Sequence, residues 1–129
     1  MITLAERKEF ALSELAPYLK DPNTCGYDKS TTNCEYLTQD GKMCVAGKNM
    51  LYPRFGENIN IDELLNEAEQ KDIFKPEAVG ILDTIEWVAM QSIHDSIAHS
   101  RGIDMLKNRI TRLNLFTYEE LLERANRLK

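Results

Sequence analysis

Apolar residues recur at helical spacing through most of the chain. Leu4, Ala11, Leu12 and Leu15 lie on one face of an opening helix, with Thr3 and Glu6 placed as a reciprocal cap and Pro17 expected to end or kink it. The longest stripe follows Pro76, where Ala78, Ile81, Leu82, Ile85, Val88, Ala89, Ile93 and Ile97 predict a helix over about residues 76–100 that Gly102 closes. Asn60 with Glu63 predicts a capped helix carrying Ile61, Leu64, Leu65 and Ala68. Two amphipathic segments follow the long helix. One runs through Ile103, Leu106, Ile110 and Leu113, and the other from a Thr117–Glu120 cap through Tyr118, Leu121, Leu122, Ala125 and Leu128.

Between the first two helices the periodicity stops. Residues 21–33 are rich in turn formers and poor in aliphatics, which predicts a long loop of the kind that often carries function. Cys34–Thr38 and Lys42–Ala46 then flank Gln39-Asp40-Gly41, and Asp-Gly supplies the positive φ angles of a tight hairpin. An isolated hairpin is marginally stable in water, so this one, at about residues 34–45, is expected to pack on the long helix. The fold class is therefore α+β: a mostly helical single domain, residues 1–129, with one short β-hairpin.

Composition agrees with one domain, since 129 residues with 43% apolar and 29% charged side chains can close a core without disulfides. No stretch approaches the roughly 20 apolar residues of a spanning helix, so no membrane association is expected. Three cysteines, an odd set with no leader-like segment ahead of them, point to a reducing cytoplasm. The net charge of −5 is uneven: residues 101–129 hold seven Lys/Arg against four Asp/Glu, leaving −8 on the rest. That acidic bulk argues against nucleic acid as a partner. Lys107, Arg109 and Arg112 read first as a solvated helix face and only secondarily as a weak phosphate contact.

The densest chemical pattern is Cys34-x-Tyr36-x4-Gly41-x2-Cys44-x2-Gly47. In a purely structural role, Cys34 and Cys44 are small buried hydrophobes, Tyr36 covers them, and Gly41 and Gly47 serve backbone angles. Three chemical roles compete with it. Zinc could be held by Cys25, Cys34 and Cys44 with His94 or His99, although gaps of nine and ten positions between the cysteines are wide for a structural site. A Cys34–Cys44 disulfide is disfavoured by a reducing compartment. A thiol at Cys34 or Cys44 could be activated by His94, with an acid such as Asp83 as orienter; Asp95 is poorly placed to orient its own neighbour, because adjacent helical residues diverge by about 100°. On the long helix Trp87 and His94 share a line, which could form a pocket wall with Gln91 and Asp95 as polar groups. Tyr27, Tyr52 and Phe55 are candidate surface aromatics.

These residues resemble a family of small phage and bacterial proteins that carry Cys-x-Tyr, then Asp-Gly, then Cys-Ala-Ile-Gly or Cys-Ala-Val-Gly, and later a helix with a His-Asp pair. Here the matching positions are Cys34, Tyr36, Asp40, Gly41, Cys44, Val45, Ala46 and Gly47, followed by Met90-Gln-Ser-Ile-His94-Asp95. Where many members have a further cysteine after the second glycine, this chain has Lys48. The resemblance implies a phage or prophage setting and a hairpin-plus-helices fold. The expected function is a non-catalytic accessory protein that binds a host protein or a small signalling molecule, using Tyr27, Cys34, Tyr36, Asp40, Cys44, Trp87, Gln91, His94 and Asp95. No cofactor is implied. The alternatives are a small thiol- or metal-dependent hydrolase using Cys44 or Cys34 with His94, and a weak nucleic-acid binder.

Overall fold

A computed structural model describes residues 2–28, 30–31, 33–53 and 59–128. Helix α1 (Leu4–Lys20) starts where Thr3 Oγ1 accepts from the Glu6 N–H at 3.1 Å and the Glu6 carboxylate accepts from the Thr3 N–H at 3.3 Å. It does not end at Pro17. Proline costs one N–H in the last turn, and the turn is held instead by buried Tyr18, whose hydroxyl donates to the Met43 carbonyl at 2.7 Å, and by the Asp21 N–H on the Pro17 carbonyl at 3.0 Å.

The fold class is the expected one, but the hairpin lies earlier in the chain than residues 34–45. Strand β1 (Tyr27–Asp28), inside the segment read as loop, pairs antiparallel with β2 (Asn33–Cys34), Tyr27 opposite Cys34. The Asp40-Gly41 turn does form, with Gly41 at φ +87° and the Thr38 N–H on the Lys42 carbonyl at 2.8 Å. Close backbone packing then takes the chain elsewhere. A Cβ at Gly26 would sit 2.2 Å from Cys44 N, and one at Gly47 would sit 2.0 Å from the Tyr36 carbonyl oxygen. Residues 43–47 thus cross beneath 26 and 36, and Gly47 serves close approach rather than a special backbone angle.

Helices α2 (Ile61–Glu67) and α3 (Gln70–Ile73) follow, and the Asn60 side chain makes no capping bond. The long helix, α4 (Thr84–Ala98), is shorter than residues 76–100. Pro76–Ala78 forms a separate 3-10 turn, Gly80 at φ +78° breaks the path, and α4 begins at a reciprocal Asp83–Glu86 cap with bonds of 2.8 and 3.0 Å. It ends before Gly102. Ser100, at φ +53°, closes it by donating to the Ile97 carbonyl at 3.1 Å while the Arg101 N–H reaches the Ser96 carbonyl at 3.1 Å, a Schellman arrangement. Gly102 instead opens α5 (Ile103–Leu113), and α6 (Tyr118–Arg127) starts at the expected Thr117–Glu120 cap.

Helix α1 packs on α6 and α4, and α4 on α2 and α5. Trp87 is the core's largest side chain, fully buried, stacked on Phe74 at 4.4 Å and met edge-on by Phe10 at 5.9 Å. Arg7 pairs with Glu86 to join α1 to α4, while Arg124 grips both carboxylate oxygens of Glu9, at 3.0 and 2.7 Å, to join α6 to α1. No helix among the described residues is long and apolar enough to cross a membrane.

Candidate functional site

A cleft of about 320 Å³ opens between β2 and the residues after it, the start of α2, and the facing sides of α4 and α5. Helix α4 contributes Val88, Gln91, Ser92 and Asp95, spaced to share one helical face. Cys34, Glu35 and Tyr36 form the opposite wall, Asn60 and Asp62 one end, and Arg109 the α5 side. The Tyr36 hydroxyl donates to the Ile59 carbonyl and ties two walls together. Glu35, Asp62 and Asp95 outnumber Arg109, so the lining is net acidic. The carboxyl of Glu35 is held above its ordinary value by loss of water and then by nearby Asp28. Arg109 donates to Ser92 Oγ, and its buried Nε has no partner among the described residues.

Fully buried His94 lies behind Asp95. Its Nε2 accepts the Gly26 N–H at 3.0 Å, and a backbone N–H is always a donor, so the ring proton belongs to Nδ1 and is donated to Asp95 Oδ1 at 2.9 Å. The expectation that Asp95 is poorly placed to orient its neighbour is therefore corrected: side-chain rotation closes a gap that backbone direction leaves open. Both ring nitrogens are committed, and neither is available to take a proton from a thiol.

The thiols are equally unsuited to nucleophilic attack. Burial pushes Cys44 up to about 11, outweighing N–H donors from Gly47 at 3.3 Å and Gln91 Nε2 at 3.2 Å that favour the thiolate. Burial likewise raises Cys25 to about 12. Cys34, half-buried at the cleft wall, is raised by loss of water first and then by the adjacent Asp95 carboxylate. Its sulfur lies 3.7 Å from Nε2 of His99, whose ring is met edge-on by Tyr27 at 4.8 Å. All three cysteines are free thiols, with no Cys34–Cys44 disulfide.

The nine residues singled out from the sequence separate into four places. Cys34, Tyr36, Gln91 and Asp95 line the cleft, and His94 supports it from inside. Gln91 also accepts the Ala46 N–H at 2.9 Å, so it clamps the loop as well as facing the cleft. Tyr27 and Asp40 belong to a separate shallow groove with Thr38 and Lys42. There the Thr38 hydroxyl, at 2.5 Å, holds the Asp40 carboxyl below its ordinary value. Trp87 and Cys44 are buried in the core, and Trp87 is no pocket wall, because it is fully buried with Phe74 stacked on it and Phe10 packed edge-on. Tyr52 is 85% exposed, and Phe55 lies outside the described residues.

Sequence reasoning did not find Glu35, Asp62, Ser92 or the amide of Gly26, and Arg109, read there as part of a solvated helix face, lines the cleft instead. Val88, Ser92, Asp95 and His99 do form an i, i+4, i+7, i+11 series, a signal for one helical face. Glu35 and Asp62 come from separate segments and had no such signal. In comparisons with known proteins, the chain matches no family model, no curated protein and no solved structure.

Proposed function

We propose that this protein is a non-catalytic binding protein, an accessory factor of phage or prophage origin, whose cleft takes a positively charged group of a small molecule or of a host protein. The observation that carries the reading is the lining itself: Glu35, Asp62 and Asp95 face a space that holds one cation, Arg109. Carboxylates around a partly enclosed space favour a cation and repel phosphate esters. The committed nitrogens of His94 and the protonated thiols support binding over nucleophilic chemistry. The phage setting rests on the resemblance of the Cys34–Gly47 and His94-Asp95 segments to small phage proteins.

The test is thermal unfolding in EDTA with polyamines, cationic amino acids and Lys- or Arg-bearing peptides, against anionic nucleotides. A ligand at 100 times its Kd stabilises by about 2.7 kcal/mol, on the order of 10 °C for a domain of this size. Cationic ligands should raise Tm, and the double substitution Glu35→Gln with Asp62→Asn should remove the effect. A response to nucleotides alone, or no response with no partner recovered from host lysate, overturns the proposal.

A further inference from the structure

Three metal-ligating side chains meet beside the cleft, and a fourth lies against one of them. The ligand atoms of Cys34, His94 and Asp95 lie within 4.8 Å of one another, and His99 Nε2 approaches the same sulfur at 3.7 Å. In a tetrahedral site with a sulfur bond near 2.3 Å and a nitrogen bond near 2.0 Å, those two atoms are about 3.5–3.6 Å apart. The observed spacing is close to that, with His99 steadied by the edge of the Tyr27 ring.

The two histidines have different roles open to them. His94 has no free lone pair, since Nε2 takes the Gly26 N–H and Nδ1 carries the proton given to Asp95 Oδ1. It can only act from behind, fixing the carboxylate, as outer partners of metal ligands commonly do. His94 engages Oδ1 of Asp95, and His99, the residue that caps α4, lies four positions beyond Asp95.

We propose that Cys34, Asp95 and His99 form a divalent-metal site of the zinc class at the edge of the cleft, with His94 positioning the Asp95 carboxylate. One sulfur, one imidazole and one carboxylate suit Zn²⁺ or Co²⁺ and suit Ca²⁺ or Mg²⁺ poorly, because the latter prefer all-oxygen shells. Binding exchanges the Cys34 S–H bond for a sulfur–metal bond, and the proton leaves to solvent. Cys34 and Asp95 both line the cleft, so the fourth coordination position opens toward it. Of the zinc set read from the sequence, Cys34 and His99 are retained and the other two cysteines are not: Cys44 is buried with its sulfur taken by Gly47 and Gln91, and Cys25 is buried as well. This site goes beyond the cation-binding reading and does not rest on it.

The experiment is titration of chelator-stripped protein with Co²⁺ and no other ligand, followed by absorption. One equivalent should produce a near-ultraviolet thiolate-to-cobalt band and the visible bands of a tetrahedral ion, and Zn²⁺ should displace both. Cys34→Ser should abolish the thiolate band, whereas Cys44→Ala should keep it. His99→Gln, at a half-buried position that tolerates change, should weaken binding at least about tenfold; His94→Gln should weaken it about 10–100-fold and keep the band. Circular dichroism of each variant without metal establishes that it is folded. No band in the parent protein, a band that survives Cys34→Ser, or unchanged affinity in His99→Gln would overturn the site. The cleft screen is run in EDTA, so either proposal can fail alone.

Discussion

Replacing His94 with phenylalanine keeps a ring in the core and removes two hydrogen bonds. The ring can still meet Tyr18 edge-on, as His94 does at 4.7 Å and 88°, so packing is largely retained. The Gly26 N–H loses its acceptor at a point where Gly26 is pressed against the Cys44 backbone with no room for a methyl group. Water cannot easily take the acceptor's place there, and an unsatisfied buried N–H costs about 1–3 kcal/mol. Loss of the bond to Asp95, whose side chain is 42% exposed, adds only about 0.5–1 kcal/mol. The sum is about 1.5–4 kcal/mol, a large share of the stability of a small domain. Urea unfolding should show a lower midpoint with an unchanged m-value, and the Gly26 amide should exchange faster in the native state. His94→Gln, whose carbonyl can replace the lost acceptor, should recover part of the difference. A His94→Phe protein within about 0.5 kcal/mol of the parent, or a glutamine variant no better than phenylalanine, would refute the role given to Nε2.

Two further outcomes follow from the same packing. Gly47→Ala forces a methyl into the Tyr36 carbonyl and should cost at least about 3 kcal/mol, whereas Gly41→Ala, at φ +87° with open space around it, should cost only about 1–2 kcal/mol; equal losses in urea unfolding would contradict the close approach. Cys44 ionises near 9 when unfolded and at about 11 when folded, so between those values the native state holds a proton that the unfolded chain has released. Stability should therefore fall as pH rises from 9 to 11, by up to roughly 3 kcal/mol from this group, and Cys44→Ala should flatten the slope. Identical slopes in the two proteins would exclude it.

Helices α1, α5 and α6 were legible in the sequence because capping residues and apolar periodicity agree there. The start of α4 was misread for a specific reason. Ala78, Ile81 and Leu82 continue the apolar stripe, although Ala78 lies in a 3-10 turn and Ile81 and Leu82 in the bend after Gly80. The cap at Asp83 and Glu86 was the better boundary signal. Strands of two residues carry no period at all, so β1 and β2 could not be found by alternation. What displaces the expected hairpin is a pair of long-range backbone contacts at Gly26 and Gly47, which local propensity does not encode. The site divides the same way. Gln91, His94 and Asp95 could be grouped from one helix, while Arg109, Asp62 and Glu35 join them only through tertiary folding.

The clasp between Glu9 and Arg124 spans 115 positions, and the helices it joins share one buried surface. During synthesis α1 emerges long before α6 exists, and the part of its surface that α6 covers stays bare until residues 118–127 have been made. Native closure is thus a late event. A ribosome stalled before α6 would hold a nascent chain with a sticky amphipathic helix, a natural target for chaperones or proteases.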